Sequence, residues 1–188
     1  IVEQTLADYL TTPTVGVVSW SVIGRMRFDA ADHAGAVEAA RKAQSLDGKS
    51  ELPALLALSF MGSKVTSAES IVTKYLDGKP RPEVRMEYVR VLLNARRYAE
   101  ASTQLQILTS EKPDFAEAWL LLGVLELQEG EPSVAERTLK HYVKLALAKR
   151  TDTSRADTDR GLVQAYLSLA QIAEQRKDFS EADAWLNR

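Results

Sequence analysis

The chain has 188 residues, of which 45% are hydrophobic and 27% charged, and its formal net charge is -2. This composition is typical of a folded protein and excludes a disordered one, while the weak negative charge argues against a phosphate-binding surface for nucleic acid. The absence of cysteine excludes disulfides, cysteine-ligated zinc and a thiol nucleophile. No apolar run approaches the roughly 20 residues of a transmembrane helix.

The N-terminal residues 1–16 precede a repeating pattern that fills the remaining chain. The first residue is Ile1 and not Met, which predicts that the chain is a piece of a longer protein. Apolar side chains then recur at helical spacing, at Val2, Leu6, Tyr9 and Leu10. Pro13 interrupts this pattern, so we expect an N-terminal helix that is either a cap or the second helix of an upstream repeat.

Residues 17–48 have the pattern of two antiparallel helices in close contact. Trp20, Ile23 and Gly24 form W-x2-I-G on a first helix, and Ala36 stands where a second helix would cross it. Glycine and alanine at a crossing allow two helix backbones to approach each other, because they carry almost no side chain. The sequence therefore predicts a helical hairpin here.

Residues 49–81 repeat this pattern least well. Leu52, Leu55 and Leu56 stand at the three first-helix anchor positions, and Ala68 stands at the crossing. Because a bulky leucine replaces the glycine, we expect the two helices of this copy to lie further apart.

Two further copies follow, over residues 82–115 and 116–149. Their anchors and crossing alanines are Arg85, Tyr88, Val89 and Ala101 in the third copy, and Trp119, Leu122, Gly123 and Ala135 in the fourth. In the fourth copy we expect Trp119 and Leu139 to fill the space on either side of the contact between Gly123 and Ala135.

Residues 150–162 are rich in charge and threonine, and they predict a polar insertion in which Asp157 and Asp159 lie on a solvated loop. The pattern resumes over residues 163–188. Its anchors and crossing alanine are Tyr166, Leu169, Ala170 and Ala182. The sequence stops within the second helix of this fifth copy.

The spacing of two columns of residues supports five copies. The crossing alanines, Ala36, Ala68, Ala101, Ala135 and Ala182, are separated by 32, 33, 34 and 47 residues. The first-helix anchors, Trp20, Leu52, Arg85, Trp119 and Tyr166, have the same separations. Because the two columns belong to different helices, their agreement indicates real units with an insertion before the last.

This pattern resembles the tetratricopeptide repeat, whose unit of about 34 residues reads W-x2-L-G-x2-Y, then A-x3-F, then P. The resemblance implies an all-α fold, an α-solenoid of antiparallel helix pairs in a right-handed superhelix of about five repeats. It also implies that the first helices line a concave groove that holds a peptide or partner helix, with no catalysis and no cofactor. The order of the copies is further similar to long exported repeat proteins of Gram-negative bacteria, and this is the basis for expecting a periplasmic or exported protein.

The groove face can be read from positions one, five and eight after each anchor, because these lie on one face of a helix. Together with nearby polar residues, the candidates for partner binding are Arg25, Met86, Arg90, Asn94, Leu120, Val124, Gln128 and Gln171. The same spacing places Pro53, Ala57 and Phe60 on the groove face of the second copy. An apolar groove with arginines suits an apolar segment that carries an acidic group, since arginine can bind a carboxylate through two hydrogen bonds.

Other interpretations of these residues remain open. Arg25 and Arg90 also fit ordinary solvated residues paired with Glu87 or Asp29. The family members that bind chaperone C-termini use paired lysine and asparagine, and this chain lacks that combination. The main alternative function is a structural module that self-associates through exposed repeat ends, with Trp185 as the contact.

The sequence offers no candidate active site or metal site. His33 and His141 lie on different copies, without a second ligand at helical spacing, and no phosphate loop or G-x-S-x-G motif occurs. Trp20 and Trp119 occupy anchor positions, where we expect core residues and not ligand platforms. RNA binding is disfavoured by the acidic balance of charge.

Overall fold

The computed structural model describes residues 16–148 and 155–188. The helix predicted within residues 1–16 lies outside this range, apart from Gly16, which precedes the first described helix. Within the described residues the regular structure is entirely helical, as the sequence predicted. No helix of this part of the chain is long and apolar enough to cross a membrane.

The chain divides into two compact units, of which the first ends at Val91 and the second begins at Leu92. The helices up to this division are α1 (Val17–Asp29), α2 (His33–Leu46), α3 (Leu52–Gly62), a 3-10 turn (Thr66–Ala68), α4 (Glu69–Leu76) and α5 (Pro82–Asn94), within which the division falls. The helices after it are α6 (Tyr98–Glu111), α7 (Ala116–Gln128), α8 (Pro132–Ala148), α9 (Arg155–Gln175) and α10 (Phe179–Leu186). Successive helices pack in pairs, α1 with α2, α3 with α4, α7 with α8 and α9 with α10, and α1 also contacts α3.

The same turn closes each described hairpin. Its central residue has a positive φ, and these residues are Ala31, Lys64, Arg96, Gly130 and Lys177. The N–H group of the next residue donates to the carbonyl five positions before it, as from Asp32 to Arg27. This is the Schellman arrangement, which satisfies carbonyl groups left free at a helix C-terminus. Asp32 and Asp178 then cap the following helices by accepting from Gly35 and Glu181.

The close helix contact predicted at Gly123 is confirmed. A Cβ atom at this position would lie 2.7 Å from Cγ and 2.8 Å from Cδ2 of Leu139 on α8. Gly24 is also closely packed, because a Cβ atom there would lie 2.9 Å from Leu56 Cδ2 and 3.3 Å from the carbonyl oxygen of Ala36. Each glycine therefore leaves a space that a neighbouring side chain fills.

The anchors predicted for the second hairpin are wrong by one residue. The fully buried Ala57, and not Leu56, lies seven positions before the turn residue Lys64, as Gly24 lies before Ala31. A small residue therefore occupies the glycine position, and the larger helix separation expected from a bulky residue there has no basis.

This shift has a local cause. Only four residues separate Lys64 from Ala68, whereas five separate the equivalent residues in the other hairpins, and the 3-10 turn Thr66–Ala68 spans the shorter connection. As a consequence, Leu52 and Leu55 are exposed. The residues placed on the groove face of this copy by spacing are buried: Pro53, Ala57 and Phe60.

The last hairpin begins earlier than predicted. Helix α9 starts at Arg155, so the loop expected to carry Asp157 and Asp159 is wrong for residues 155–162. Leu162 is buried in a cluster with Leu120 and Tyr142, which gives this added length of helix an apolar contact.

Candidate peptide-binding groove

A furrow runs between α1 and α3 in the first unit. Its volume is about 380 Å3, and it opens to solvent. Its walls are Val18, Ser21, Val22 and Arg25 on α1, and Leu52, Leu55, Leu56 and Ser59 on α3. Both walls belong to first helices of successive hairpins, as the groove predicted from the sequence would require.

The furrow presents apolar side chains to solvent because α1 packs its opposite face against the interior. Ile23 and Gly24 pack towards the interior, which turns Val18 and Val22 outward with exposures of 64% and 52%. Leu52 and Leu55 face the same furrow from α3 and are also exposed. A continuous apolar patch of this kind is characteristic of binding surfaces, whereas single exposed apolar residues are not.

The polar groups of the furrow have complementary hydrogen-bonding capacities. Within the described part of the chain, the guanidinium of the exposed Arg25 has no hydrogen bond or ion pair. The hydroxyl of Ser21 donates to the Val17 carbonyl at 2.8 Å, and that of Ser59 donates to the Leu56 carbonyl at 2.7 Å. Both serines therefore keep lone pairs that can accept a hydrogen bond, while Arg25 offers only donors.

The furrow is bounded beyond Arg25 and Ser59 by two stacked rings. The Phe28 and Phe60 centroids lie 4.5 Å apart with an interplanar angle of 14°, so the pair connects α1 to α3. Phe60 is fully buried, and His33 lies beside Phe28 at 5.1 Å. Judged by its wall residues, the furrow has an apolar end near Val18 and a polar end near Arg25.

The comparisons with known proteins agree with this arrangement of helices. A family model described as tetratricopeptide repeat matches residues 89–148. The structure of the MamA protein is 18% identical, with a TM-score of 0.64, and the match covers 91% of this chain and 88% of that one.

Residues 89–148 match the tetratricopeptide repeat, and the chain has the fold of solved tetratricopeptide-repeat structures.

Two other solved structures have the same fold. YrrB, described as a TPR protein with an unusual peptide-binding site, is 15% identical with a TM-score of 0.62, over 96% of this chain and 88% of that one. PilF of Pseudomonas aeruginosa is 17% identical with a TM-score of 0.56, over 90% and 72%. No curated protein matches the chain. The fold class is therefore the α-solenoid of antiparallel helix pairs, and the exported bacterial origin stays a prediction.

The predicted groove residues of the first unit differ in their exposure to solvent. Arg25 lines the furrow, whereas Met86 is only 1% exposed and offers no surface to a partner. Arg90 is exposed and forms an ion pair with Glu87 at 2.9 Å on its own helix. The solvated-pair interpretation therefore describes Arg90, and Arg25 differs from it.

The second unit presents a more neutral face. Asn94, Gln128 and Gln171 are exposed, and Val124 is half-buried. Leu120 is only 8% exposed because it packs in the apolar cluster of α7, α8 and α9. Val163 and Leu167, of which Leu167 stands one position after the anchor Tyr166 and so on the predicted groove face, are exposed on α9 and lie on one helical face with Gln171.

The tryptophans of the repeats are structural. Trp119 donates from Nε1 to the Pro113 carbonyl at 2.9 Å, and its ring lies 4.4 Å from that of His141. Trp185 is half-buried and stacks on Tyr166 at 5.9 Å, with the Arg188 guanidinium 4.4 Å from its ring centroid. The idea of Trp185 as an exposed contact point is therefore wrong, because this side chain holds the last repeat together.

Charged residues reinforce the contact of the last repeat with the one before it. Glu136 on α8 forms ion pairs with Lys140 and Arg176, both at 2.6 Å, and Glu181 on α10 pairs with the same two cations. The hydrogen bond that Lys140 donates to Glu136 is the main reason why the pKa of Lys140 is raised. A network of this kind contributes more than isolated surface pairs do.

Glu126 is a buried carboxylate within the fourth repeat. It is 8% exposed, and its Oε2 has no hydrogen-bond partner among the described residues. Burial raises the pKa of this carboxyl, and a hydrogen bond from Thr138 partly opposes the shift. The charged form is therefore disfavoured in the folded state, and this cost is present above the folded pKa and disappears as the pH falls through it.

We expect Glu126→Gln to raise the free energy of unfolding by about 1 kcal/mol at pH 7, because it removes an incompletely bonded charge. The gain should vanish at about pH 4, where the wild-type carboxyl is protonated in both states. Urea unfolding at the two pH values measures this, with the exposed Glu38→Gln on α2 as control. An equal gain at both pH values would attribute the effect to packing and not to charge.

The described residues contain no group of three or more histidines, cysteines, aspartates or glutamates that could hold a metal ion. His33 is exposed on α2, and His141 is half-buried against Trp119. The two histidines thus have separate aromatic neighbours, and Nε2 of His141 is buried without a hydrogen-bond partner among the described residues.

Proposed function

We propose that this protein is a non-catalytic interaction scaffold that holds a peptide segment of a protein partner in the groove lined by its first helices. The observation that carries the proposal is the furrow between α1 and α3, where exposed apolar walls end at Arg25, which has no ion pair among the described residues. Apolar contact supplies affinity in such a groove, and a few polar groups fix the orientation of the ligand. The description of YrrB as having a peptide-binding site supports the same use of this fold.

Further groove contacts belong to this proposal. On the first helices of the later repeats, the accessible candidates are Arg90 in the first unit and Asn94, Val124, Gln128 and Gln171 in the second, while Met86 and Leu120 are buried within their own units. The partner is a protein or peptide and not a nucleic acid, because the described groove residues include few cations and the net charge is -2.

Selection of random nonapeptides on phage with the whole chain as bait tests this function. We expect enriched peptides whose affinity falls at least about tenfold with Val22→Glu, which places a charge in the furrow. Leu46→Glu is the matched control, since Leu46 is 49% exposed on the second helix α2 and does not line the furrow. Equal losses with both variants, or no enrichment, would contradict the proposal.

A structural, self-assembling role is the second candidate. It is favoured by Phe179 and Leu186, which are exposed on α10. Sedimentation over a range of protein concentrations decides between them. Assembly that is abolished by Phe179→Ser would support this role, and a monomer at high concentration would remove it.

A further inference from the structure

We infer that the α1–α3 furrow reads a short partner motif in polyproline II conformation, in which an apolar residue and an acidic residue stand three positions apart. The apolar side chain packs against Val18, Val22 and Leu52, and the side-chain carboxylate binds Arg25. This inference rests on the proposed function and specifies the ligand of the same groove.

The length of the furrow sets the spacing. Seven residues separate Val18 from Arg25 along α1, which corresponds to about 10 Å at 1.5 Å per residue. In polyproline II, residues three apart lie on the same face, about 9 Å from each other. A β-strand places residues two or four apart on one face, at about 6.6 or 13 Å, and neither distance matches.

The two serines favour a ligand whose backbone forms no internal hydrogen bonds. Ser21 and Ser59 donate to carbonyls of their own helices, so they can only accept from a ligand. A polyproline II segment has free backbone N–H groups to donate, whereas those of a helix are already bonded.

The charge at the polar end points to a side-chain carboxylate. Arg25 is exposed at the rim of the furrow and has no described ion pair, so it can form a bidentate contact with an acidic group. Recognition of a C-terminal carboxylate commonly uses a nest of free backbone N–H groups. At Arg25 the backbone lies in the middle of α1, where the N–H groups are bonded within the helix.

A series of synthetic nonapeptides tests this spacing. Each peptide is acetylated and amidated, contains one leucine and one aspartate in a glycine–serine background, and separates them by two, three, four or seven positions. We expect the separation of three to bind the whole chain about tenfold more tightly than the others, measured by NMR titration. Tightest binding at seven would indicate a helical ligand, and equal binding would show that the furrow does not measure spacing; either result overturns the inference.

A variant of the acceptor group gives an independent test. Ser59→Ala should weaken binding of the best peptide roughly three- to tenfold, which corresponds to the loss of one hydrogen bond. The control is Ser45→Ala on α2, whose hydroxyl donates to Lys42 outside the furrow. Unchanged affinity with Ser59→Ala would overturn the role of the serine.

Three further outcomes separate the ligand sources and the two proposals. Binding that requires a free peptide C-terminus would overturn the side-chain source of the carboxylate. A concentration-dependent dimer that Arg25→Glu converts to monomer would make a second copy of the chain the occupant. Phage-selected peptides that are sensitive to Val22→Glu but lack the three-residue spacing would overturn this inference and leave the proposed function standing.

Discussion

Leu139→Ala should lower the free energy of unfolding by about 3 kcal/mol, within the range of 2–5 kcal/mol found for leucine removal from well-packed cores. Leu139 is fully buried, and its side chain fills the space over Gly123 where α7 and α8 cross. The surrounding helices cannot collapse into the cavity without losing other contacts. Urea denaturation followed by circular dichroism measures the change.

The complementary variant tests the same contact from the opposite helix. Gly123→Ala should lower stability by up to about 2 kcal/mol, because overpacking costs about 1–3 kcal/mol and alanine recovers about 1 kcal/mol of helix propensity. In the Leu139→Ala background most of this penalty should disappear, since Cγ and Cδ2 of the leucine are gone and only the backbone nitrogen at position 139, at 3.3 Å, remains close. Gly62→Ala on α3 is the control, as a Cβ atom there has no neighbour within 4 Å. The same penalty in both backgrounds would refute the contact as the cause.

Arg25→Glu should weaken binding of furrow peptides by at least about tenfold and leave the free energy of unfolding nearly unchanged. The reversal replaces an attraction for the ligand carboxylate by a repulsion, and Arg25 has no described partner to lose. Isothermal titration calorimetry with a phage-selected peptide measures the affinity, and thermal unfolding checks stability.

Two other charge reversals make the Arg25 result specific. Lys42→Glu changes the net charge equally on the exposed surface of α2, and we expect no effect beyond weak, salt-screened attraction. Arg90→Glu should have an intermediate effect, because Glu87 already neutralises Arg90. Equal losses for all three variants would reduce the role of Arg25 to general electrostatics.

The sequence predicted the fold because its strongest signals are steric. Gly24 and Gly123 occupy positions where a larger residue would press against a neighbouring helix, so a glycine at each position indicates the helix contact in the sequence. The turn signal was weaker, since only Gly130 among the five positive-φ turn residues is a glycine. The helical period on either side identified the hairpins without it.

The second repeat and the furrow could not be predicted in detail. The connection before Ala68 is one residue shorter than in the other hairpins. The spacing of the crossing alanines therefore changes little, whereas the first anchor position of this repeat moves from Leu52 to Pro53. The sequence does not distinguish these two registers, because both of them place leucine at anchor positions. The furrow walls Val18 and Val22 resemble core residues, and only their position opposite Gly24 indicates that they face outward.

Chemical-shift mapping of the whole chain with a phage-selected peptide tests the central claim most directly. The groove account predicts that the shifted amides belong to the first helices, with the largest changes between Val18 and Arg25 on α1 and between Leu52 and Ser59 on α3. Shifts concentrated on the second helices α2 and α4, with α1 and α3 undisturbed, would contradict it.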